Sequence, residues 1–336
     1  MSKVKVWLEE LRLPFMTASV PPAILGGLIA WDLTGQIDIL LLLLAALAAF
    51  LMHAGTNVVN DYFDHVSGCD EINVRFVRPF GGGSRLIQKG LLSPKEVYYG
   101  ALSLFAFSVM IGLYLAYVSG WQLLIIGIIG LISGFFYTDP RLNLASRGIG
   151  EFLVGLNFGT LIVLGSFFVQ TGQFALEPLL ASLPLAILIA AVLWINEFQD
   201  MEADAAVGKR HLVSRLGRRR AAAVYSYLLV LAYVSLVAGT VVGLLPLESV
   251  VALVTMPIAA RSVNVAMRHY DDTLPLAPAN AGTIMLHLVF GIVLIFAYAS
   301  AATNLIVFAI ASFILATLLT TTFISKGPGP SEAHTA

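Results

Sequence analysis

Long runs of apolar residues alternate with short polar segments along almost the whole chain. A helix of about 20 apolar residues crosses the hydrocarbon core of a bilayer, so each run predicts a transmembrane helix. The predicted spans lie near residues 14–31, 39–60, 97–118, 121–138, 149–171, 178–197, 221–243, 247–267, 281–302 and 304–325. The last two runs are almost continuous, so nine to ten spans are expected. Pro14, Pro21 and Pro22 should kink the first span.

The composition excludes a soluble protein. Of the 336 residues, 58% are hydrophobic and only 12% are charged, against about 25% charged residues in a soluble domain. The single Cys69 excludes an internal disulfide. We therefore predict an all-α polytopic membrane protein whose helices form a bundle around a central cavity. One transmembrane domain over residues 1–325 and a disordered tail over 326–336 are expected, with the lipid bilayer and no nucleic acid as partner.

The basic residues predict how the chain lies in the membrane. With these spans, all 19 Lys and Arg residues fall on one side or near span ends that face it. The opposite connections carry only the acidic residues Asp32, Asp38, Glu177 and Glu248. The positive-inside rule then places the amino terminus in the cytoplasm. Two long loops on the same side, 65–95 and 201–220, should cap the cavity there.

Two acidic motifs lie at the ends of the second and sixth spans, both on the basic side. The first is Asn60-Asp61-x2-Asp64, which runs on to Asp70, and the second is Asn196-Glu197-x2-Asp200, which runs on to Asp204. A carboxylate near the centre of a span costs about 2.5–3.5 kcal/mol on insertion scales, so such residues point to function. The offset of four spans predicts two four-helix pseudo-repeats related by an axis along the membrane normal.

The spacing within each motif indicates a metal site. Residues four apart share one face of a helix, and carboxylates this close repel unless a cation joins them. Oxygen ligands of this kind suit Mg²⁺, which often shares a substrate phosphate. The predicted ligands are Asn60, Asp64, Asp70, Asn196, Asp200 and Asp204, with two ions expected. Nearby cations that could hold the phosphate oxygens are Arg85, Lys89, Lys209 and Arg210.

Two other interpretations of these charges stay open. Acidic residues just beyond a span are often ordinary interface residues, and Glu71 and Glu202 fit that description equally well. Carboxylates along a membrane path are also typical of ion-coupled transporters. A transporter would favour acidic groups near mid-membrane, whereas these cluster at one side beside Lys and Arg. His53 and His287, inside spans, are better explained as hydrogen-bonded helix contacts than as ligands.

The motifs resemble those of the UbiA superfamily of intramembrane prenyltransferases, over roughly residues 11–302. The most specific parts are Asn60-Asp61-x2-Asp64-x5-Asp70 and Asn196-x3-Asp200-x3-Asp204. Further stretches, at 11–26, 83–90, 137–141, 147–151, 158–159 and 205–212, are similar to the MenA-type branch. That branch prenylates 1,4-dihydroxy-2-naphthoate in menaquinone synthesis.

The resemblance implies an enzyme and assigns roles to residues. It implies Mg²⁺-dependent transfer of an isoprenyl group from a prenyl diphosphate to an aromatic acceptor through an allylic cation, with Asp64, Asp200 and Tyr137 as catalytic residues. Arg141 is expected to contact the diphosphate, and Arg12, Asn157 and Asp139 the acceptor. For Tyr137 the alternative to the favoured functional role is an interfacial aromatic anchor, whereas Arg12 fits a positive-inside anchor equally well.

Two departures from the family pattern leave the acceptor open. Asp139 stands where Gly is usual, and Asn157 stands where an apolar residue is usual. The alternatives to dihydroxynaphthoate are 4-hydroxybenzoate, homogentisate, chlorophyllide, haem and a glyceryl phosphate lipid. All of them keep the same donor chemistry.

Overall fold

The computed structural model describes residues 2–73 and 76–326, and the predicted all-helical fold is confirmed over these residues, which include no strand. Helices α1 to α14 run over Lys3–Glu10, Val20–Thr34, Ile39–Val66, Cys69–Ile72, Pro94–Ser119, Leu123–Phe135, Gly150–Val154, Ile162–Thr171, Leu176–Ala206, Leu212–Leu216, Arg218–Val241, Met256–His269, Thr273–Thr303 and Ile306–Lys326. Short 3-10 segments cover Leu13–Ala18, Leu144–Arg147 and Leu247–Thr255, and a π-helical segment covers Gly155–Leu161. Of the predicted tail, Lys326 ends α14 and residues 327–336 lie outside the described part.

Nine helical segments within the described residues are long and apolar enough to cross a bilayer. The predicted span at 121–138 is the exception, because only α6, with 13 residues, is helical there. At 1.5 Å per residue α6 is about 20 Å long, shorter than the hydrocarbon core. Large apolar side chains cover the outside of the bundle, among them Leu43, Phe107 and Phe313. An exposed apolar surface of this extent is a lipid-facing surface.

The first predicted span is broken on its amino-terminal side. Arg12 adopts a left-handed conformation with φ 50°, and the 3-10 segment Leu13–Ala18 follows it. Pro21 and Pro22 then stand in the first turn of α2, where a missing amide hydrogen leaves no helix bond unmade. The prolines therefore start a new helix, and α1 is set off from α2.

The helices pack in an order that repeats with the offset of the two motifs. Helix α3 packs on α5, and α9 packs on α11 four spans later. Helix α2 packs against both α8 and α13, which closes the bundle. The ends of α3 and α9 that carry the acidic motifs consequently face one interior.

Helices α2 and α8 approach closely at a glycine. A Cβ on Gly26 would lie 2.3 Å from the carbonyl oxygen of Val163 and 2.9 Å from the Cβ of Ser166. The Ser166 hydroxyl donates to the Ala23 carbonyl across the same interface at 2.6 Å. Small residues and hydrogen bonds of this kind hold membrane helices together, since lipid gives no hydrophobic drive for their association.

We expect Gly26→Ala to destabilise the bundle by about 1–3 kcal/mol, the usual cost of overpacking a close contact. Gly291→Ala is the matched control, because a Cβ there meets only ordinary contacts, 3.4 Å from Pro21 and 3.7 Å from Leu185. Thermal unfolding of the detergent-solubilised variants measures the difference. Equal melting temperatures for the two variants would contradict this account of the interface.

Both predicted cap loops meet at the same end of the bundle. The segment 65–95 contains α4, whose Cys69 thiol donates to Asp204 Oδ1 at 3.1 Å. In the segment 201–220, α9 continues to Ala206 and the short helix α10 follows. The second motif is therefore entirely helical, and only 207–211 and Gly217 connect the helices of this cap.

Candidate functional site

A cavity of about 650 Å³ occupies the interior between α3, α6, α8 and α9. Along α3 its wall changes from the apolar Ala45 and Met52 to the polar Asn57, Asn60 and Asp64. Asp64 lies 19 positions after Ala45, which corresponds to about 28 Å of helix. The cavity is thus a long apolar chamber with one polar end.

The two acidic motifs converge at the polar end. Lys209 Nζ lies 2.5 Å from Asp64 Oδ1 on α3 and 3.5 Å from Asp204 Oδ1 on α9. Asn60 donates through Nδ2 to Asp64 Oδ2 at 3.1 Å, as the i, i+4 spacing predicts. Asn60 Oδ1 is buried and has no hydrogen-bond partner among the described residues. A free amide oxygen therefore lies beside converging carboxylates.

The second motif is held in place by its neighbours. Asp200 Oδ1 accepts from Asn73 Nδ2 at 2.7 Å and from the backbone N–H of Gly82 at 3.2 Å. A Cβ on Gly81 would lie 2.8 Å from that same oxygen, so the loop can come this close only with glycine there. Asn196 Oδ1 accepts from Asn280 Nδ2 at 2.7 Å. The loop after α4 and helix α13 thus orient two of the predicted ligands.

Asp70 reaches the same end from α4, and it also lines the cavity. Gln88 Nε2 donates to Asp70 Oδ2 at 3.2 Å. Burial, together with the neighbouring Asp64 and Asp61 carboxylates, raises the pKa of Asp70 to about 7. All six predicted ligands therefore line one cavity.

The predicted basic residues divide into two groups. Lys209 and Arg12 line the cavity, whereas Lys89, Arg210 and Arg141 are exposed and are not among the described residues that line it. Burial opposes the charge of Lys209, but Asp64 and Asp204 outweigh it and raise the pKa of Lys209 well above its usual value. Lys209 is consequently a permanent positive charge between the two motifs.

Arg85 contacts the loop and not the cavity. Its guanidinium donates to the backbone carbonyls of Asp70 and Asn73, and it stacks on the Phe76 ring at 4.4 Å. The Arg85 backbone has φ 63°, a left-handed conformation. Arg85 therefore shapes the loop that carries Asp70 and Asn73.

The amino-terminal segment is bonded into the polar end. Arg12 forms an ion pair with Asp61, and Asp61 Oδ2 accepts from the backbone N–H of Ser84 at 3.0 Å. Ser84 Oγ in turn donates to Glu10 Oε2 at 2.6 Å. Sequence reasoning missed Glu10, whose only signal was a carboxylate at the end of an amphipathic first helix.

Of the six residues predicted for the catalytic centre and the acceptor, five line the cavity and Asp139 does not. Tyr137 and Asn157 line it, and Asn157 lies in the π-helical segment, a distortion often found at functional sites. Asn157 Oδ1 accepts from Ser133 Oγ at 3.0 Å, and its Nδ2 donates to the Leu153 carbonyl at 2.8 Å. Asp139 is buried outside the lining and accepts from the backbone N–H of Arg141 at 2.8 Å, which stabilises a turn.

The two histidines within spans have different surroundings. His53 Nδ1 lies 3.2 Å from Ser19 Oγ, and its ring packs on Phe158 with centroids 4.4 Å apart. His287 is buried in α13, and its Nε2 has no hydrogen-bond partner within the described chain. His53 is therefore a helix contact at the cavity wall.

A further group of titratable residues lies directly behind the second motif, and sequence reasoning missed it as a group. Glu197 and His211 line the cavity, and Glu151 approaches them from α7. Glu197 was visible as the second residue of its motif. Its partners are 46 and 14 positions away, so no local spacing could have joined the three.

Comparison with known proteins identifies the family. The model of the UbiA prenyltransferase family matches residues 19–281. The 1,4-dihydroxy-2-naphthoate octaprenyltransferase of Bacillus subtilis (strain 168) is 30% identical over 228 residues, which cover 68% of this chain and 71% of that protein. The 2-carboxy-1,4-naphthoquinone phytyltransferase of Synechocystis sp. is 26% identical over 298 residues, 88% of this chain and 93% of that one.

Solved structures share the fold. The structure of a UbiA homolog from Archaeoglobus fulgidus bound to DMAPP and Mg²⁺ superposes with a TM-score of 0.58 at 12% identity, over 92% of this chain and 99% of that one. Because the family match covers most of the chain and the helices are those of a multi-pass membrane protein, this chain belongs to the UbiA prenyltransferase family and is a membrane-embedded prenyltransferase.

Proposed function

We propose that the enzyme transfers an isoprenyl group from a prenyl diphosphate to an aromatic acceptor, with 1,4-dihydroxy-2-naphthoate as the favoured one. The observation that carries the proposal is the convergence of Asp64 and Asp204 on Lys209 at the polar end of a long apolar cavity. The cavity offers both environments that such a donor needs, charge for its diphosphate and apolar walls for its tail.

The donor set at the polar end fits Mg²⁺. Asn60 Oδ1 lacks a partner within the described residues, and the single positive charge of Lys209 is shared between Asp64 and Asp204, while Asp70 and Asp200 line the same cavity. The carboxylates outnumber this lysine, so a further cation would reduce their mutual repulsion. Hard oxygen ligands of this kind, with water and phosphate completing the shell, are what Mg²⁺ takes in proteins. The proposed ligands are Asn60, Asp64, Asp70, Asn196, Asp200 and Asp204, for two ions. When bound, the metal supplies positive charge that stabilises the leaving diphosphate.

Residues of the chain would also bind the phosphate oxygens, exclude water and stabilise the cation. Lys209 and Arg12, both at the polar end, offer N–H donors to phosphate oxygens. The apolar wall keeps water from the allylic cation that forms when the C–O bond breaks. Tyr137 lies at the cavity wall, where its ring face can stabilise that cation. We therefore propose Asp64, Asp200 and Tyr137 as catalytic residues.

The acceptor proposal rests on the relatives and on two side chains. The two relatives described above act, by name, on naphthoate or naphthoquinone rings. Arg12 at the polar end can pair with an acceptor carboxylate, and Asn157 offers a polar group in the cavity wall. A glyceryl phosphate acceptor is the second candidate, since a digeranylgeranylglyceryl phosphate synthase has the same fold with a TM-score of 0.58 at 20% identity.

A substrate panel tests both proposals. Purified protein would be incubated with labelled prenyl diphosphates and, separately, with dihydroxynaphthoate, 4-hydroxybenzoate, homogentisate and glyceryl phosphate lipids. We expect Mg²⁺-dependent product with dihydroxynaphthoate. Product with 4-hydroxybenzoate alone, or with the lipid alone, would overturn the acceptor while leaving the donor chemistry in place.

We also propose that the polar end faces the cytoplasm. The distribution of Lys and Arg supports this orientation, because basic residues favour the cytoplasmic side. The segments 65–95 and 201–220 would then form a cytoplasmic cap over one transmembrane domain. Labelling of a cysteine introduced at the exposed Lys89 in intact cells should require a membrane-permeant reagent, and labelling by an impermeant one would reverse the orientation.

The pH dependence of Mg²⁺ binding should report on Asp70. Its pKa near 7 means that a proton competes with the metal below neutrality. Lowering the pH from 8 to 6 should therefore weaken the binding of Mg²⁺. For one competing proton the affinity falls by up to about tenfold per pH unit below 7. Calorimetric titration at each pH measures this effect. Asp70→Asn should flatten the profile, and equal affinities at pH 6 and 8 in the unmodified protein would contradict the assignment.

A further inference from the structure

Three buried side chains from three separate elements meet behind the second motif. Glu151 comes from α7, Glu197 from α9, and His211 from the connection before α10. Each is at most 7% exposed, and one potential ligand atom from each lies within 4.8 Å of the other two. His211 ties the cap segment to both helices at this point.

The three side chains leave polar atoms without partners. Glu151 Oε1 accepts from the backbone N–H of Leu212 at 2.7 Å, but Oε2 of Glu151, Oε2 of Glu197 and Nε2 of His211 have no hydrogen bond within the part of the chain described. Buried polar atoms without partners are costly, and two buried carboxylates side by side more so. A cation between them would remove both costs.

We propose that Glu151, Glu197 and His211 bind a divalent transition-metal ion of the zinc class, at a site separate from the six-residue magnesium site. His211 Nδ1 lies 3.4 Å from Glu197 Oε2. Two ligand atoms at about 2.0–2.2 Å from one tetrahedral ion lie roughly 3.3–3.6 Å apart, so this pair already has the spacing of two ligands. Glu151 would provide the third ligand, and a water molecule would occupy the fourth position.

The surroundings of His211 favour metal binding at Nδ1. The backbone N–H of Ser214 points at Nδ1 across 3.3 Å, which marks that nitrogen as the unprotonated one. The other nitrogen, Nε2, lies 3.6 Å from Asp204 Oδ2. Metal-bound histidines commonly direct their second N–H to a carboxylate in this way. The hydrogen bond from the Ser214 N–H to Nδ1, which is long at 3.3 Å, would break when the ion binds.

The ligand chemistry distinguishes this ion from magnesium. Imidazole suits zinc and its neighbours, whereas Mg²⁺ prefers oxygen ligands and retains water. Glu197 and His211 line the cavity, which provides an entry route for the ion. A bound ion would join α7, α9 and the cap segment, and so would fix the cap next to Asp204.

Zinc binding to the purified full-length protein tests the proposal. After treatment with a chelator, Zn²⁺ would be titrated in excess Mg²⁺, which occupies the oxygen-only site. We expect one tight site, weakened by at least about 100-fold in His211→Gln, since losing even a second-shell partner costs 10–100-fold. His287→Gln is the matched control, because His287 is also buried with an unpartnered Nε2 but lies in α13, outside the trio. It should bind Zn²⁺ as the unmodified protein does.

A measurement on the unmodified protein covers the case in which His211→Gln fails to fold. X-ray absorption at the zinc edge should show one imidazole and oxygen ligands. A shell of oxygen alone, the absence of tight zinc binding, or equal affinity in His211→Gln would each overturn the site. None of these outcomes depends on prenyl transfer, so a failure of the zinc proposal would not contradict the proposed function.

Discussion

Replacing Asp64 by Asn is expected to reduce prenyl transfer by about 1000-fold, a loss of the size seen when one electrostatic stabiliser of a transition state is removed. The amide keeps the volume of the side chain but removes the negative charge that faces Lys209 and Asp204. Mg²⁺-dependent diphosphate binding should be lost together with activity, because both need the same oxygen ligands. Calorimetric binding of a diphosphate analogue, with kcat/KM measured in parallel, checks both results.

Asp200→Asn should behave in the same way, since Asp200 occupies the equivalent position on α9. Asp271→Asn serves as the control, because Asp271 is exposed in the connection between α12 and α13. It should leave binding and turnover unchanged. Unaltered Mg²⁺-dependent diphosphate binding in both motif variants would count decisively against the proposed magnesium and diphosphate site.

Lys209→Met is expected to move two affinities in opposite directions. Without the Lys209 charge, the Asp64 and Asp204 carboxylates lose a cation 2.5 Å and 3.5 Å away, so Mg²⁺ alone should bind more tightly. The diphosphate, however, loses a buried donor, and its affinity should fall by about 30-fold or more, since truncating one partner of a buried charge pair costs 2–5 kcal/mol. Separate titrations of Mg²⁺ and of a diphosphate analogue measure the two effects.

The opposite signs separate this role from a purely structural one. If Lys209 had only a structural role, its replacement would partly unfold the site and weaken the binding of both Mg²⁺ and the diphosphate. Lys95→Met, at an exposed lysine near the start of α5, is the matched control and should change neither affinity. Weaker Mg²⁺ binding in Lys209→Met would show that the lysine does not compete with the metal.

Most of the spans could be predicted from hydrophobicity because a helix needs a minimum length of apolar residues to cross the bilayer. The limits of this rule appear at α6, where the apolar run 121–138 yields only the helix Leu123–Phe135. Hydropathy records that a stretch is apolar, but it does not record that Phe136 and the residues after it leave the helix for a turn. The same reasoning ended the second span at Asn60, whereas α3 continues to Val66.

The acidic motifs could be recognised because Asn60 and Asp64 on α3, and Asn196, Asp200 and Asp204 on α9, recur with a helical spacing. The basic residues could not be sorted in this way, since Arg85 and Lys89 lie four apart in one loop and yet differ in their surroundings. Backbone carbonyls draw the Arg85 guanidinium back to the loop, while Lys89 is exposed. The trio of Glu151, Glu197 and His211 depends on three elements meeting, which only the tertiary structure reveals.

The bonding of the amino-terminal segment has a practical consequence for anyone who produces this enzyme. Glu10 contacts Ser84 and Arg12 contacts Asp61 next to the proposed reaction centre, so we expect a bulky affinity tag fused ahead of α1 to disturb the groups proposed to bind substrate. Helix α14, by contrast, packs at the periphery against α13, α12 and the 3-10 segment Leu247–Thr255. Fusions for purification or imaging therefore belong at the carboxyl end.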